Sequence, residues 1–308
     1  MGSSADGDLA LGTGIGLVRR RSAFRFKLAV VPFHAWSPDV YEGSPAPSTI
    51  YFAVVPKMAM GVVVMRLCWG PFAEAFDTVQ SVRRFTAVAS RGLAALAARA
   101  QRRVKRFRAY SAIGHMGYVM LALSSGSLEG VQGARRYRVI YVVMSLNAWL
   151  AVMSITRETS RGEAGDGALD LPNPRASAKY RTDRRGLSTR NPVLAGTLAL
   201  TVRSMAGIPP RAGFMAKRWV FFAAMAQSLV LYAVFAVLAS SVSAFNYLRW
   251  VKIMYFDAPA LTVSRDRVTV DPWTSRVRGV TLGLRLVRLR VPGPVRLRTH
   301  RMALALCR

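Results

Sequence analysis

Cysteine and histidine are scarce in this chain. Cys68 and Cys307 lie far apart and form no CxxC pair, and the three histidines are scattered. A disulfide framework or a Cys/His metal cluster is therefore excluded as the organising chemistry. No GxGxxG turn and no phosphate-binding loop is present, so the chain carries no nucleotide site of its own. Acidic residues are few: 15 Asp and Glu face 44 Lys and Arg, a formal net charge of +29. On a soluble protein such a balance would point to nucleic acid. No RNA- or DNA-binding motif accompanies it, and no nucleic acid is expected as a partner.

What is abundant is apolar sequence. Of the 308 residues, 52% are hydrophobic, and the mean hydropathy is +0.24. That is beyond an ordinary soluble domain and predicts membrane residence. Uncharged windows mark the expected helices. Gly43–Pro56 and Met58–Met65 flank Lys57 in one span. Ala109–Leu128 carries His115, Val139–Thr156 follows, and Trp219–Leu248 is long enough to hold parts of two helices. Asn191–Val202 is a shorter run. The bases cluster at Arg19–Arg21, Arg102–Arg108, Arg181–Arg190 and after Arg276, as expected of loops on a positive-inside face or near anionic lipid. Residues 157–190 and 257–276 read as loops. The expected fold class is all-α: a polytopic transmembrane helical bundle over 24–256, without a sheet. Residues 1–23 read as an extension, helix remnant or targeting segment, and 257–308 as a basic loop with an interfacial or degenerate last helix.

The informative feature is where lysine and proline fall. Lys27 precedes an apolar segment that Pro32 interrupts, and Lys217 follows an apolar run stopped by Pro209-Pro210. Lys57 sits inside an apolar span. A charge at mid-depth costs roughly 2.5–3.5 kcal/mol on insertion scales, and such residues are usually functional. Broken helices beside ionisable groups build transport sites. A desolvated ammonium gives up its proton more readily, and His34 and His115 offer imidazoles that titrate near neutrality. The plain alternatives are lysines that snorkel to headgroups, histidines that are satisfied interface residues, and Asp39 and Glu42 that cap helices or pair with a basic loop.

The motif FK-x4-PFH-x-W-x-PD-x-YEG-x-P-x-P at Phe26–Pro47 resembles the antiporter-like, proton-channel subunits of respiratory complex I. VKRFRAYSAIGHMGY (Val104–Tyr118), LEGVQ (Leu128–Gln132), SMAGIPPRAGFMAK (Ser204–Lys217) and FNYLRWVKIMYFDAP (Phe245–Pro259) agree, in order. PDVYEGSPAP resembles the turn that separates subunit 2, the bacterial subunit N, from its two larger sisters. The resemblance implies two proline-broken helices. It implies that Lys27 modulates, Lys57 passes the proton inward and Lys217 connects to the exit side, with His34 and His115 as possible relays. It also implies a subunit of a proton-translocating NADH:ubiquinone reductase, in a mitochondrial or bacterial inner membrane. FMN, iron–sulfur clusters and ubiquinone would lie in other subunits, so no cofactor is expected in this chain.

The sequence departs from that pattern in three ways. Only residues 1–25 precede the first motif, where the family has further helices and a glutamate partner for the first lysine. A separate chain could supply that half, beside other membrane-arm subunits and anionic lipid such as cardiolipin. Arg91, Arg99, Arg135, Arg136, Arg203, Arg211 and Arg218 stand where the family is apolar, and should snorkel, meet acids or be covered. The last span is eroded by arginine. A structural subunit without its own channel and a stand-alone cation/proton antiporter are the competing readings.

Overall fold

The structure is a computed structural model. It describes residues 16, 18–20, 22–69, 76–153, 156–158, 175–177, 185–190, 192–209, 211–257 and 268–269. The expectations for 1–15 and for most of 257–308 lie outside the described residues. Helical backbone over 22–28 (α1) is followed by α2 (Trp36–Gly43), α3 (Ala46–Trp69), α4 (Phe76–Ala100), α5 (Val104–Ser124) and α6 (Leu128–Met153). After the loop come α7 (Leu187–Arg190), α8 (Pro192–Ala206), α9 (Ala212–Ala226) and α10 (Val230–Tyr255). The helical bundle is as expected. The loops add a small antiparallel sheet of order β2-β1-β3, from Thr156–Glu158 (β1), Arg175–Ser177 (β2) and Val268–Thr269 (β3), where no sheet was expected.

α5 is the centre of the bundle. It packs against α2, α3, α4, α6 and α9 and is buried along most of its length. Its closest neighbour is α4. Small residues explain the approach: a Cβ on Gly117 would meet the Arg91 side chain and the Ala87 carbonyl, and one on Gly114 would meet the Ala94 methyl. Such seams let helices touch where burial from water cannot drive association. Interhelical polar bonds add to it. Asn246 donates to the Ala95 carbonyl at 2.9 Å, and Asn147 to Thr201 Oγ1 at 2.5 Å.

The helix boundaries follow local chemistry. α5 stops at Ser125-Gly126, with Gly126 at φ +71°, and Ser127 opens α6 by accepting the Gly130 N–H at 3.1 Å. The uncharged window Trp219–Leu248 does contain parts of two helices, α9 and α10, divided at 227–229. α3 and α10 are long and apolar enough to cross a membrane.

Two expectations are corrected. Charge-free windows did not reveal α4, because Arg83, Arg84, Arg91 and Arg99 interrupt it. The run Arg102–Arg108 is not wholly a loop: α5 begins at Val104, and Arg108 is buried within it. Its flank anchors α2, the helix after the first break. Arg106 donates to Asp39 at 2.5 Å and pairs with Glu42 at 3.6 Å, and Arg103 also pairs with Glu42. Asp39 and Glu42 are thus partners of a basic helix start.

Candidate functional site

Both predicted helix breaks exist. Between α1 and α2, residues 29–35 leave helical geometry, with Ala29 at φ +54°. Ser90 of α4 accepts the Val31 N–H at 2.9 Å, and Trp36 Nε1 donates to the Phe26 carbonyl at 3.0 Å across the gap. The second break separates α8 from α9. Gly207, at φ +86°, gives its N–H to Ser204 O at 3.1 Å, while Ile208 N–H reaches Arg203 O at 3.4 Å. This pairing closes a helix C-terminus through a left-handed residue. Ser204 then accepts the Gly213 N–H at 3.3 Å, which ties the start of α9 to the end of α8.

Lys217 joins this second break from its far side. Its Nζ donates to the Ala206 carbonyl at 2.5 Å and to Ser240 Oγ of α10 at 3.0 Å. A half-helix C-terminus exposes unpaired carbonyls and the negative end of its dipole, so a buried ammonium is well placed there. The Tyr118 ring lies 5.3 Å away, within cation–π range.

Lys57 is 1% exposed. It belongs to the inward row Thr49, Ala53, Lys57, Gly61 and Met65, spaced four apart on α3, while Tyr51, Phe52, Val55 and Val62 face outward. The Tyr41 ring lies 5.3 Å from its Nζ, and Tyr141 and Arg108 are its other titratable neighbours. Among the described residues its Nζ has no hydrogen-bond partner. Pro56 sits inside α3 just before it and leaves one carbonyl of the preceding turn without its usual N–H.

His115 lies between the two lysines. Its Nδ1 shares a hydrogen bond with Tyr137 OH at 2.7 Å and its Nε2 one with Tyr247 OH at 3.3 Å. Tyr247 is in turn bonded to Ser111. The Tyr141 ring is 5.0 Å from the imidazole, centre to centre, on the side of Lys57. Towards Lys217, a cavity of about 20 Å³ is lined by Arg91, Ser111, His115, Tyr118, Lys217 and Tyr247. Such a volume suits about one water molecule.

The five sequence-predicted residues therefore separate. Lys57, His115 and Lys217 converge on the tyrosine cluster. Lys27 is exposed on the last turn of α1, and His34 is half-buried at the first break, its Nδ1 3.2 Å from the Pro32 carbonyl. Neither reaches the cluster. Sequence reasoning missed the tyrosines and the arginines. Tyr137 and Tyr141 stand four apart, on one face of α6, which was the available signal.

Among the described residues the buried charges are all cations, Lys57, Arg83, Arg91, Arg108, Arg138 and Lys217, without a buried carboxylate. Arg91 and Arg108 are met by rings and carbonyls. Arg91 lies 3.6 Å over the Tyr118 ring and donates to Ala236 O at 3.2 Å. Arg108 lies 5.1 Å over Trp149 and donates to Ser145 O at 3.1 Å. Arg136 faces Trp219 at 4.6 Å, and Arg211 donates to Leu200 O at 3.1 Å. Guanidinium stacks on aromatic faces and fans its donors in a way ammonium does not.

Residues 11–243 match the family described as NADH:quinone oxidoreductase/Mrp antiporter, TM. Subunit N of NADH-quinone oxidoreductase from Rhodospirillum rubrum is 40% identical over 255 residues, which cover 83% of this chain and 49% of that relative. Chain 2 of NADH-ubiquinone oxidoreductase from Marchantia polymorpha is 38% identical over 296 residues, 96% of this chain and 56% of that one. A chain of respiratory complex I from Thermus thermophilus, solved with bound aureothin, superposes with a TM-score of 0.69 at 28% identity, over 88% of this chain and 56% of that one. The chain spans about half the length of the curated relatives it matches. With most of its length matched, the chain belongs to the NADH:quinone oxidoreductase/Mrp antiporter transmembrane family.

Proposed function

We propose that this chain is a membrane-arm component of a respiratory NADH:quinone oxidoreductase and takes part in moving protons across the membrane. Its relatives are named as subunit N or chain 2 of that enzyme. The observation that carries the proton role is the placement of His115: each ring nitrogen meets a tyrosine hydroxyl, and buried lysines lie on either side.

Lys57 accepts a proton on one side, His115 and the tyrosine hydroxyls transmit it, and Lys217 receives it at the second break. Imidazole suits the middle position because it binds and releases protons near neutrality. The small cavity between His115 and Lys217 accommodates about one water to complete the path. Lys27, at the first break, modulates from outside this cluster. Flavin, iron–sulfur clusters and quinone belong to other subunits, and oxidation of NADH supplies the driving force from there. The membrane is the mitochondrial or bacterial inner membrane, and the partners are other membrane-arm subunits.

The second reading is a structural subunit whose channel is inactive. The exposure of Lys27, apart from the other two lysines, favours it. Substituting Lys57→Ala distinguishes the two. The channel reading expects assembly to survive and the number of protons moved per NADH to fall. Unchanged stoichiometry with intact assembly supports the structural reading.

A further inference from the structure

Arg91 and Lys217 reach the same ring and the same helix from different sides of the bundle. Arg91 of α4 is 4% exposed, and its guanidinium lies 3.6 Å from the centre of the Tyr118 ring. The Lys217 ammonium of α9 lies 5.3 Å from that ring. On α10, Arg91 donates to the Ala236 carbonyl at 3.2 Å and Lys217 to the Ser240 hydroxyl at 3.0 Å, one turn apart. Arg91 also reaches the Gly114 carbonyl of α5 at 3.4 Å. Both cations line the small cavity that His115 borders. The titratable and charged neighbours of Lys217 are Tyr118 and Arg91. Tyr247 of α10 shares the cavity wall. On α6, Tyr137 turns to His115 and Arg136 to Trp219. α8 meets the ammonium through the Ala206 carbonyl.

The two cations differ in kind. An ammonium can give up its proton, whereas a guanidinium in a protein cannot. One charge beside the second break is therefore permanent, and the other comes and goes. A permanent like charge nearby favours the state in which the proton has left.

We propose that Arg91 is a positioning residue for proton release at the second break: its permanent charge drives the proton off the Lys217 ammonium. In that step an N–H bond of the ammonium breaks, the electron pair stays on nitrogen as an amine, and the proton passes to water. The Tyr118 ring acts in the opposite sense, because its face attracts the ammonium. The stack on the ring and the two carbonyl contacts hold the guanidinium beside the lysine. The proposal rests on the proton-transport reading and assigns the charge that sets its release step.

The test is NADH-driven proton flux across a range of pH, measured on the purified assembly that carries this chain after reconstitution into liposomes. Wild type is compared with Arg91→Gln, Arg91→Lys and Tyr118→Leu. Glutamine keeps a donor for the carbonyls without the charge, and lysine keeps the charge without the planar stack. Arg91→Gln is expected to slow flux at neutral pH roughly tenfold and to move the pH of half-maximal flux up by about one unit. Arg91→Lys is expected to keep the wild-type midpoint. Tyr118→Leu is expected to move it down, since the ring's attraction is lost while Arg91 remains. A wild-type midpoint in Arg91→Gln overturns the proposal, as does an equal upward shift in Arg91→Lys. A purely structural role would lower the yield of assembly and leave the midpoint in place. Where Arg91→Gln does not assemble, Tyr118→Leu decides: a downward shift supports the proposal, and an unmoved or raised midpoint overturns it. Flux that survives Lys217→Met counts against the proton-transport reading itself, which separates that failure from failure of the role of Arg91.

Discussion

Lys217 holds the carbonyl of Ala206 at 2.5 Å across the second helix break. The donor lies on one half-helix and the acceptor ends the other, so one ammonium serves the geometry of the break as well as its charge. Replacing it by methionine keeps the stem and removes the head, which leaves a buried carbonyl and the Ser240 hydroxyl without their donor. An unmatched buried group costs about 1–3 kcal/mol. Lys217→Met is expected to lower the melting temperature of the assembly and to abolish proton flux in reconstituted liposomes. Flux at the wild-type rate would reduce Lys217 to a structural cap.

The tyrosines around His115 allow a finer test. Phenylalanine fills the same space without the hydroxyl. Tyr137→Phe and Tyr247→Phe each leave one imidazole nitrogen without its partner, at about 1–3 kcal/mol. Both are expected to slow proton flux while the complex assembles and oxidises NADH. Flux equal to wild type in both variants would remove the tyrosines from the path.

Gly207 and Gly43 form a matched pair of alanine substitutions. Gly207 has φ +86° and would direct a Cβ at the Lys217 side chain, whereas a Cβ on Gly43 meets nothing within 4 Å. The left-handed conformation alone penalises an L-residue by about 1–2 kcal/mol. Gly207→Ala is expected to destabilise the protein by at least that amount and to impair transport through Lys217. Gly43→Ala is expected to be near neutral in both measurements. Equal melting temperatures for the two variants would contradict this account of the break.

Asp39 and Glu42 are expected to differ from the lysines in kind. The Asp39 side chain is 70% exposed beside Arg106, and such a pair is screened by solvent. Asp39→Asn should change stability by less than about 1 kcal/mol, with the difference shrinking at high salt. Proton flux should be unaltered. A loss of flux without a loss of stability would reassign Asp39 as a proton carrier.

Much of the architecture was readable from residue order. Proline marked both breaks, and the uncharged stretch around Lys57 implied its burial. Helix α4 was hidden because a rule that counts charges treats Arg91 as an interruption, although the Tyr118 ring and the Ala236 carbonyl enclose it. The ring and the carbonyl lie on other helices, and nothing local to Arg91 announces them. The tyrosine cluster was hidden for the same reason: Tyr247 and His115 are 132 residues apart in sequence. Lys27 shows the converse. Its position before a break resembles a site lysine, yet exposure depends on what packs against α1.

The run Ser111–Tyr247–His115–Tyr137 consists of groups that can each give and take a hydrogen bond. Passing one proton along it turns every bond in the run to face the other way and exchanges the tautomer of the imidazole. The row then carries a memory of that passage and refuses a second proton from the same side until its hydroxyls and ring have turned back. Transport along it would be counted in single, separately reset events.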